Sequence, residues 1–186
     1  MSTRGAIGFR FNGKDYITYN HYDSYPSALG QRVIDNTKAW MTHDPTFSEL
    51  KAKLPLMRIL SAVDNASFED LQRFKTIHDP NVSVGTDYYS LLRNAQGHLY
   101  EYPELGIWLD DTQFIYDSLF CEYAYIVNLD DNVMEVYHGF QDEPFTEGRY
   151  TIEKPTDWQP EYPGQEFYFP VKLVQTFALD TLPASL

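Results

Sequence analysis

Apolar and polar positions alternate at the start of the chain: Ile7, Phe9 and Phe11 mark one side, Asn12-Gly13 follows, and Tyr16-Ile17-Thr18-Tyr19 resumes the pattern. Asn-Gly between two alternating runs predicts a tight β-turn, because both turn positions need a positive φ, which these two residues adopt at least cost. Residues 5–20 are therefore expected to form a β-hairpin. The period then changes. Leu29, Val33, Thr37, Trp40 and Met41 recur at i, i+4, i+8, i+11 and i+12, one face of an α-helix. Pro26 fits the first turn, where its missing N–H would have no helical partner. The spacing predicts a helix over 26–41. A second helix is expected from about Asp44-Pro45 to just before Pro55. A third starts near Ser67, with Asp70 three residues on as a capping partner, and runs through Phe68, Leu71, Phe74 and Ile77. A fourth is expected from Asp87 to Gln96, stopped by Gly97.

The alternating pattern returns in the last third. Tyr123 to Leu129, the turn Asp130-Asp131-Asn132, and Val133 to Tyr137 predict a second hairpin. Residues 141–165 are rich in Pro, Glu and Gly and read as a long irregular excursion. A final strand is expected from Glu166 to Ala178, carrying Phe167, Phe169, Val171 and Leu173. Strands thus cluster at both ends of one domain spanning residues 1–186, without an internal repeat or linker. The expected fold class is α+β: a mainly antiparallel sheet built from N- and C-terminal strands, with the central helices packed on one face.

Composition sharpens this picture. With 43% apolar residues among 186, the chain can close a core and is not globally disordered. The 15 Tyr and 12 Phe suit a Tyr-decorated sheet, and secondarily a surface that stacks on a flat ligand. A lone Cys121 forms no internal disulfide, and its strand-like setting predicts a small buried hydrophobe rather than a catalytic thiol. No apolar signal-type run follows Met1 and no run approaches the roughly 20 residues of a membrane span, so no membrane association and a cytoplasmic location in a bacterial host cell are expected.

Charge is unevenly placed. Residues 1–100 hold 11 Lys/Arg and 10 Asp/Glu, whereas residues 101–186 hold 3 and 17. An acidic half repels phosphate backbones, so general nucleic-acid binding is not expected. Such a half serves solubility, docks a basic partner such as a host protein, or mimics a nucleic-acid backbone; solubility is the plainest of the three.

Several stretches carry a family likeness: Thr3-Arg4-Gly5, the run Tyr19-Asn20-His21-Tyr22-Asp23-Ser24-Tyr25-Pro26-Ser27-Ala28-Leu29-Gly30, the strand Cys121-Glu122-Tyr123-Ala124-Tyr125, Glu135-Val136-Tyr137-His138-Gly139-Phe140, and Pro170-Val171-Lys172-Leu173-Val174. Together they resemble an uncharacterised protein family of bacteria and tailed phages. Its members typically read Thr-Arg-Gly, then Gln-Trp-Asp-Gly-Tyr-Pro-Ser-Gly, then Cys-Glu-Trp-Ala-Tyr. Here His21-Tyr22 stands for Gln-Trp, Ser24 for the first Gly and Ala28 for the second. The resemblance spans nearly the whole chain and implies kinship without an activity. Carriage by phages implies an accessory role such as counter-defence.

The sharpest chemical candidate is the turn between the first hairpin and the first helix. Unpaired N–H groups and a positive dipole end favour an anion at a helix start. Ser24 and Ser27 offer hydroxyls, Asp23 an acceptor, His21, Tyr22 and Tyr25 rings, and Arg4 a phosphate fork. Arg4, His21, Tyr22, Asp23, Ser24, Tyr25 and Ser27 would suit a nucleotide-like small molecule. The plainer alternative has Ser24 or Asp23 capping the helix and Arg4 pairing with Asp23. The resulting expectation is a phage-type accessory protein that binds and sequesters a nucleotide-derived ligand. The alternatives are an acidic inhibitor of a host or defence protein and an N-terminal-nucleophile hydrolase using Ser2. Binding is favoured over turnover, no catalytic residue or cofactor is assigned, and oligomerisation is compatible with the sequence. The five His lack metal-pair spacing, His43-Asp44-Pro45 and His78-Asp79-Pro80 read as helix-end turns, and Asp110-Asp111 and Asp130-Asp131 are the acidic pairs to watch.

Overall fold

The computed structural model describes residues 3–61, 66–74, 88–94 and 97–186. Strands β1 (Gly5–Phe11) and β2 (Lys14–Asn20) form the first hairpin, and Asn12 and Gly13 turn it at φ 52° and 71°. A single π-helical turn, Pro26–Gly30, leads into α1 (Gln31–Met41). Next come α2 (Ser48–Lys53), β3 (Arg58–Leu60), α3 (Phe68–Phe74), α4 (Tyr88–Asn94), α5 (Glu101–Leu105) and β4 (Ile107–Leu109). A 3₁₀ turn, Thr112–Tyr116, precedes the second hairpin, β5 (Tyr123–Asn128) and β6 (Val133–His138), and β7 (Lys172–Ala178) closes the sheet.

The five-stranded sheet has the order β2-β1-β5-β6-β7, with strands from both ends of the chain. Its neighbours are antiparallel except at the centre, where β1 and β5 run parallel with Gly5 opposite Tyr123. The helices supply the crossover that a parallel pair requires. Asp130, in the turn of the second hairpin, accepts the N–H groups of Asn12 and Gly13 at 2.7 and 2.9 Å. The two hairpin turns are thereby tied together, and Asp130 has a structural task.

Alternation along the strands divides the interior in two. Ile7, Phe9, Tyr125, Val127, Met134 and Val136 face the helices and pack with Leu29, Val33, Ile34, Trp40 and Leu50. The central helices therefore lie on one face of the sheet. Ala6, Ile17, Ala124, Ile126 and Tyr137 face the other way, where Ile115, Cys121, Tyr150 and Val171 cover them. This second face is covered by the 3₁₀ turn, by the segment that leads into β5 and, through Tyr150, by the irregular excursion. It is held through Arg149, whose guanidinium donates to both carboxylate oxygens of Glu135. Glu135 also accepts from Asn128 and from the Tyr137 hydroxyl, each at 2.8 Å, while the Tyr150 hydroxyl donates to Asp15 at 3.0 Å.

Several sequence expectations shift. The helix over 26–41 begins with a π turn, and its α-helical part starts only at Gln31. The second helix starts at Ser48, where the Asp44 carboxylate accepts the N–H groups of Ser48 and Glu49 at 2.8 and 2.9 Å. Ser67 and Asp70 do form the reciprocal cap, at 2.7 and 3.2 Å, but Ile77 lies outside the described residues, as do Asp87, Gln96 and His78-Asp79-Pro80. The last strand begins at Lys172, not Glu166: Phe169 makes only an isolated bridge with Gln141, and Pro170 has no N–H to extend the ladder. The short parallel pair β3–β4 and helix α5 were not anticipated, because runs of three to five residues carry too little period to read.

Candidate functional site

The strand-to-helix turn is built differently from a simple anion cradle. Ser24 is fully buried. Its hydroxyl accepts from Asn20 Nδ2 at 2.8 Å, its N–H donates to the Thr3 carbonyl at 3.1 Å, and its carbonyl accepts from the Tyr125 hydroxyl at 3.0 Å. Gly5 permits this: a Cβ there would stand 2.7 Å from the Cβ of Ser24 and 2.4 Å from the carbonyl oxygen of Tyr123. The Thr-Arg-Gly start and the Tyr-Pro-Ser turn thus meet in space. Asp23 is exposed at φ 55°, Ser27 is exposed, and Tyr25 is 42% exposed.

No side chain caps the π turn, so neither Ser24 nor Asp23 plays that part. The N–H groups of Ala28 and Gly30 donate to the Tyr25 carbonyl, and that of Leu29 to the Asp23 carbonyl. The N–H groups of Ala28, Leu29 and Gly30 are therefore already engaged. Arg4 does not pair with Asp23 either. Its guanidinium lies over the Phe120 ring at 4.2 Å.

A denser constellation forms a step away, at the end of edge strand β2. The Tyr19 hydroxyl and His21 Nδ1 are 2.6 Å apart. The Tyr19 ring meets Phe114 edge-on at 5.0 Å and lies 6.2 Å from Tyr89. Tyr89 is also 6.3 Å from His21, whose other neighbour is Tyr22 at 6.2 Å. Arg93, one turn after Tyr89 on α4, places its guanidinium 5.7 Å from the Tyr89 ring. His21 and Tyr22 thus come together with Tyr19 and with three residues not anticipated, Tyr89, Arg93 and Phe114, while Arg4, over Phe120, acts on His21 through its charge. Tyr89 and Arg93, an aromatic–cation pair at i, i+4, were the readable sign of α4's part.

Two positive charges act on this patch, and Arg4 acts on the Asp117 carboxylate as well. Burial lowers the His21 pKa first, and the positive charges of Arg93 and Arg4 lower it further. Burial and the neighbouring Tyr89 hydroxyl raise the Tyr19 pKa, so Tyr19 keeps its proton. Among the described residues neither Arg4 nor Arg93 forms an ion pair, and Arg93 Nε is buried without a hydrogen-bond partner. A buried guanidinium nitrogen without an acceptor costs free energy that a ligand oxygen would recover.

The remaining candidates are quieter. Cys121 is fully buried, and burial with nearby carboxylates raises its pKa well above the ordinary thiol value, so it is an inert thiol. Asp111 is pushed up to about 6 by burial and by the charge of Asp110, whose carboxylate accepts from the Thr112 hydroxyl at 2.7 Å. Thr3 is buried, and Ser2 lies outside the described residues. Among the described residues no cluster of His, Cys, Asp and Glu is arranged to hold a metal ion, and no helix is long and apolar enough to cross a membrane. In comparisons with family models, curated proteins and solved structures, nothing matches this chain.

Proposed function

We propose that the protein binds and holds, without turnover, a nucleotide-derived small molecule at the Tyr19–His21 patch. The observation that carries this reading is the convergence of two guanidinium groups, Arg4 and Arg93, on a His21 kept neutral, with Arg93 Nε buried and lacking an acceptor. A phosphate beside Arg93 would supply that acceptor, and the charge of Arg4 would favour it further. Tyr22 and the half-exposed Tyr89 offer ring faces for a base. Exposed Asp23, next to Tyr22, suits a sugar hydroxyl. The family resemblance adds a setting: an accessory protein that takes a nucleotide signal out of circulation.

Thermal-shift titration with linear and cyclic nucleotides, and with inorganic phosphate, tests this. A ligand at a hundred times its Kd adds about 2.7 kcal/mol to folding. For a chain of this length that raises Tm by roughly 5–10 °C. Arg4→Ala and Arg93→Ala should each abolish the rise, whereas Ser27→Ala should leave it intact. A flat response across the whole set would sink the reading.

A further inference from the structure

The irregular excursion between β6 and β7 lines an open cavity of about 760 Å³ that shares no residue with the Tyr19–His21 patch. Its walls are aromatic. Trp158 meets Phe167 edge-on at 5.6 Å, and Phe167 meets Phe169 edge-on at 5.0 Å. Asp142, Glu143, Glu153 and Glu166 also line it. Residues 141–166 carry seven carboxylates against Arg149 and Lys154, and Arg149 is engaged internally by Glu135.

One cation already occupies this setting. The Lys154 ammonium stands 4.2 Å from the centroid of the Trp158 ring and 5.6 Å from that of Phe167. Glu153 is its neighbour in sequence, yet among the described residues Lys154 forms no ion pair. The ring faces hold it by their negative quadrupole, and Trp is the strongest such acceptor. Lys172 lies over the ring of Phe145, another lining residue, at 5.7 Å. The chain itself thus shows what the aromatic wall prefers: an ammonium on an aliphatic stem, in an acidic surround.

We infer that this cavity docks a basic segment of a partner protein, one of whose lysine or arginine side chains replaces Lys154 against Trp158 and Phe167. Charge complementarity selects the occupant. The acidic rim attracts a positive segment over several ångströms, and the aromatic wall gives one of its cations a fixed seat. Lys154 acts as a resident competitor that keeps the wall covered until the partner arrives.

Isothermal titration with decalysine tests this, with decaglutamate and tetramethylammonium as controls. Decalysine should bind, decaglutamate should not, and affinity should fall as salt rises. Trp158→Ala should weaken decalysine binding by about tenfold, with its melting curve unchanged. Lys154→Ala should tighten it several-fold, because the competitor is gone. The inference is overturned if decalysine does not bind. It is also overturned if Trp158→Ala binds as well as the parent, which reduces the effect to general charge, or if Lys154→Ala leaves binding unchanged or weaker. Tetramethylammonium binding as tightly as decalysine would mark a small-cation site and overturn it too. Should Trp158→Ala fail to fold, Lys154→Ala decides alone.

Discussion

The Tyr19 hydroxyl stands 2.6 Å from Nδ1 of His21, at the end of an edge strand where two arginines also converge. The pair is neutral on both sides: burial keeps the proton on Tyr19 and keeps a second proton off His21. The positive charges of Arg93 and Arg4 act on His21, and its titration follows from that.

The sign for His21 is set by its lowered pKa. Above its unfolded value of about 6.5 the imidazole is neutral in both states. As pH falls below that, the unfolded chain takes up the proton first, so stability declines until the pH passes the folded value and then levels off. His21→Gln should remove that part of the loss, measured as urea midpoints between pH 7 and 5; unchanged pH dependence would contradict it. A nucleotide bound between Arg4 and Arg93 should raise the His21 pKa, because a negative charge then faces the ring. Proton NMR of the imidazole follows this directly.

Asp111 runs in the opposite sense. Its folded pKa of about 6 lies above the unfolded 3.8, so its ionisation destabilises the fold as pH rises through that interval. Asp111→Asn should therefore be more stable than the parent at neutral pH, and the advantage should vanish by about pH 4. Denaturation midpoints at the two pH values check both halves of the statement.

Arg149 and Glu135 carry the attachment of the excursion to the second face of the sheet. Glu135 is 5% exposed, so removing its partner leaves a buried charge uncompensated. Arg149→Met should cost about 3–5 kcal/mol, and adding Glu135→Leu should restore much of it, because the pair's own desolvation is then removed as well. A double-mutant cycle by chemical denaturation measures the recovery.

Gly5→Ala probes the contact between the opening strand and the turn. Its Cβ would meet the Tyr123 carbonyl oxygen at 2.4 Å, and that oxygen belongs to the central parallel pairing of β1 and β5. The cost should be about 1–3 kcal/mol. Tm should fall by roughly 2–4 °C for each kcal/mol. A Tm equal to that of the parent would show that the sheet yields there.

Local features were legible from the chain alone. Asn12-Gly13 and Asp130-Asp131-Asn132 specified their turns, the period after Leu29 specified α1, and Ser67 with Asp70 specified a cap, since each depends on residues within one turn or one strand pair. The α+β class followed from the order of those elements. The site was legible only in part. Arg4, His21 and Tyr22 were singled out; the rings of His21 and Tyr22 are 6.2 Å apart, while Arg4 lies over Phe120. Ser24 was chosen for a hydroxyl that proves to be buried and bonded to Asn20.

The tertiary structure alone decided what long-range packing controls. The parallel pairing of β1 with β5 depends on how the crossover runs, which short-range patterns do not encode. The approach of Tyr89 to Tyr19 and His21 depends on α4 docking against the edge strand β2. The task of Asp130 depends on two hairpin turns, separated by more than a hundred residues, meeting at hydrogen-bond distance. Turn and helix preferences are set by steric and hydrogen-bond terms between near neighbours, so the sequence states them directly. The meeting of Tyr89 with Tyr19 and His21 is set by long-range packing, and a linear pattern of polar and apolar residues says which side is buried without saying against what.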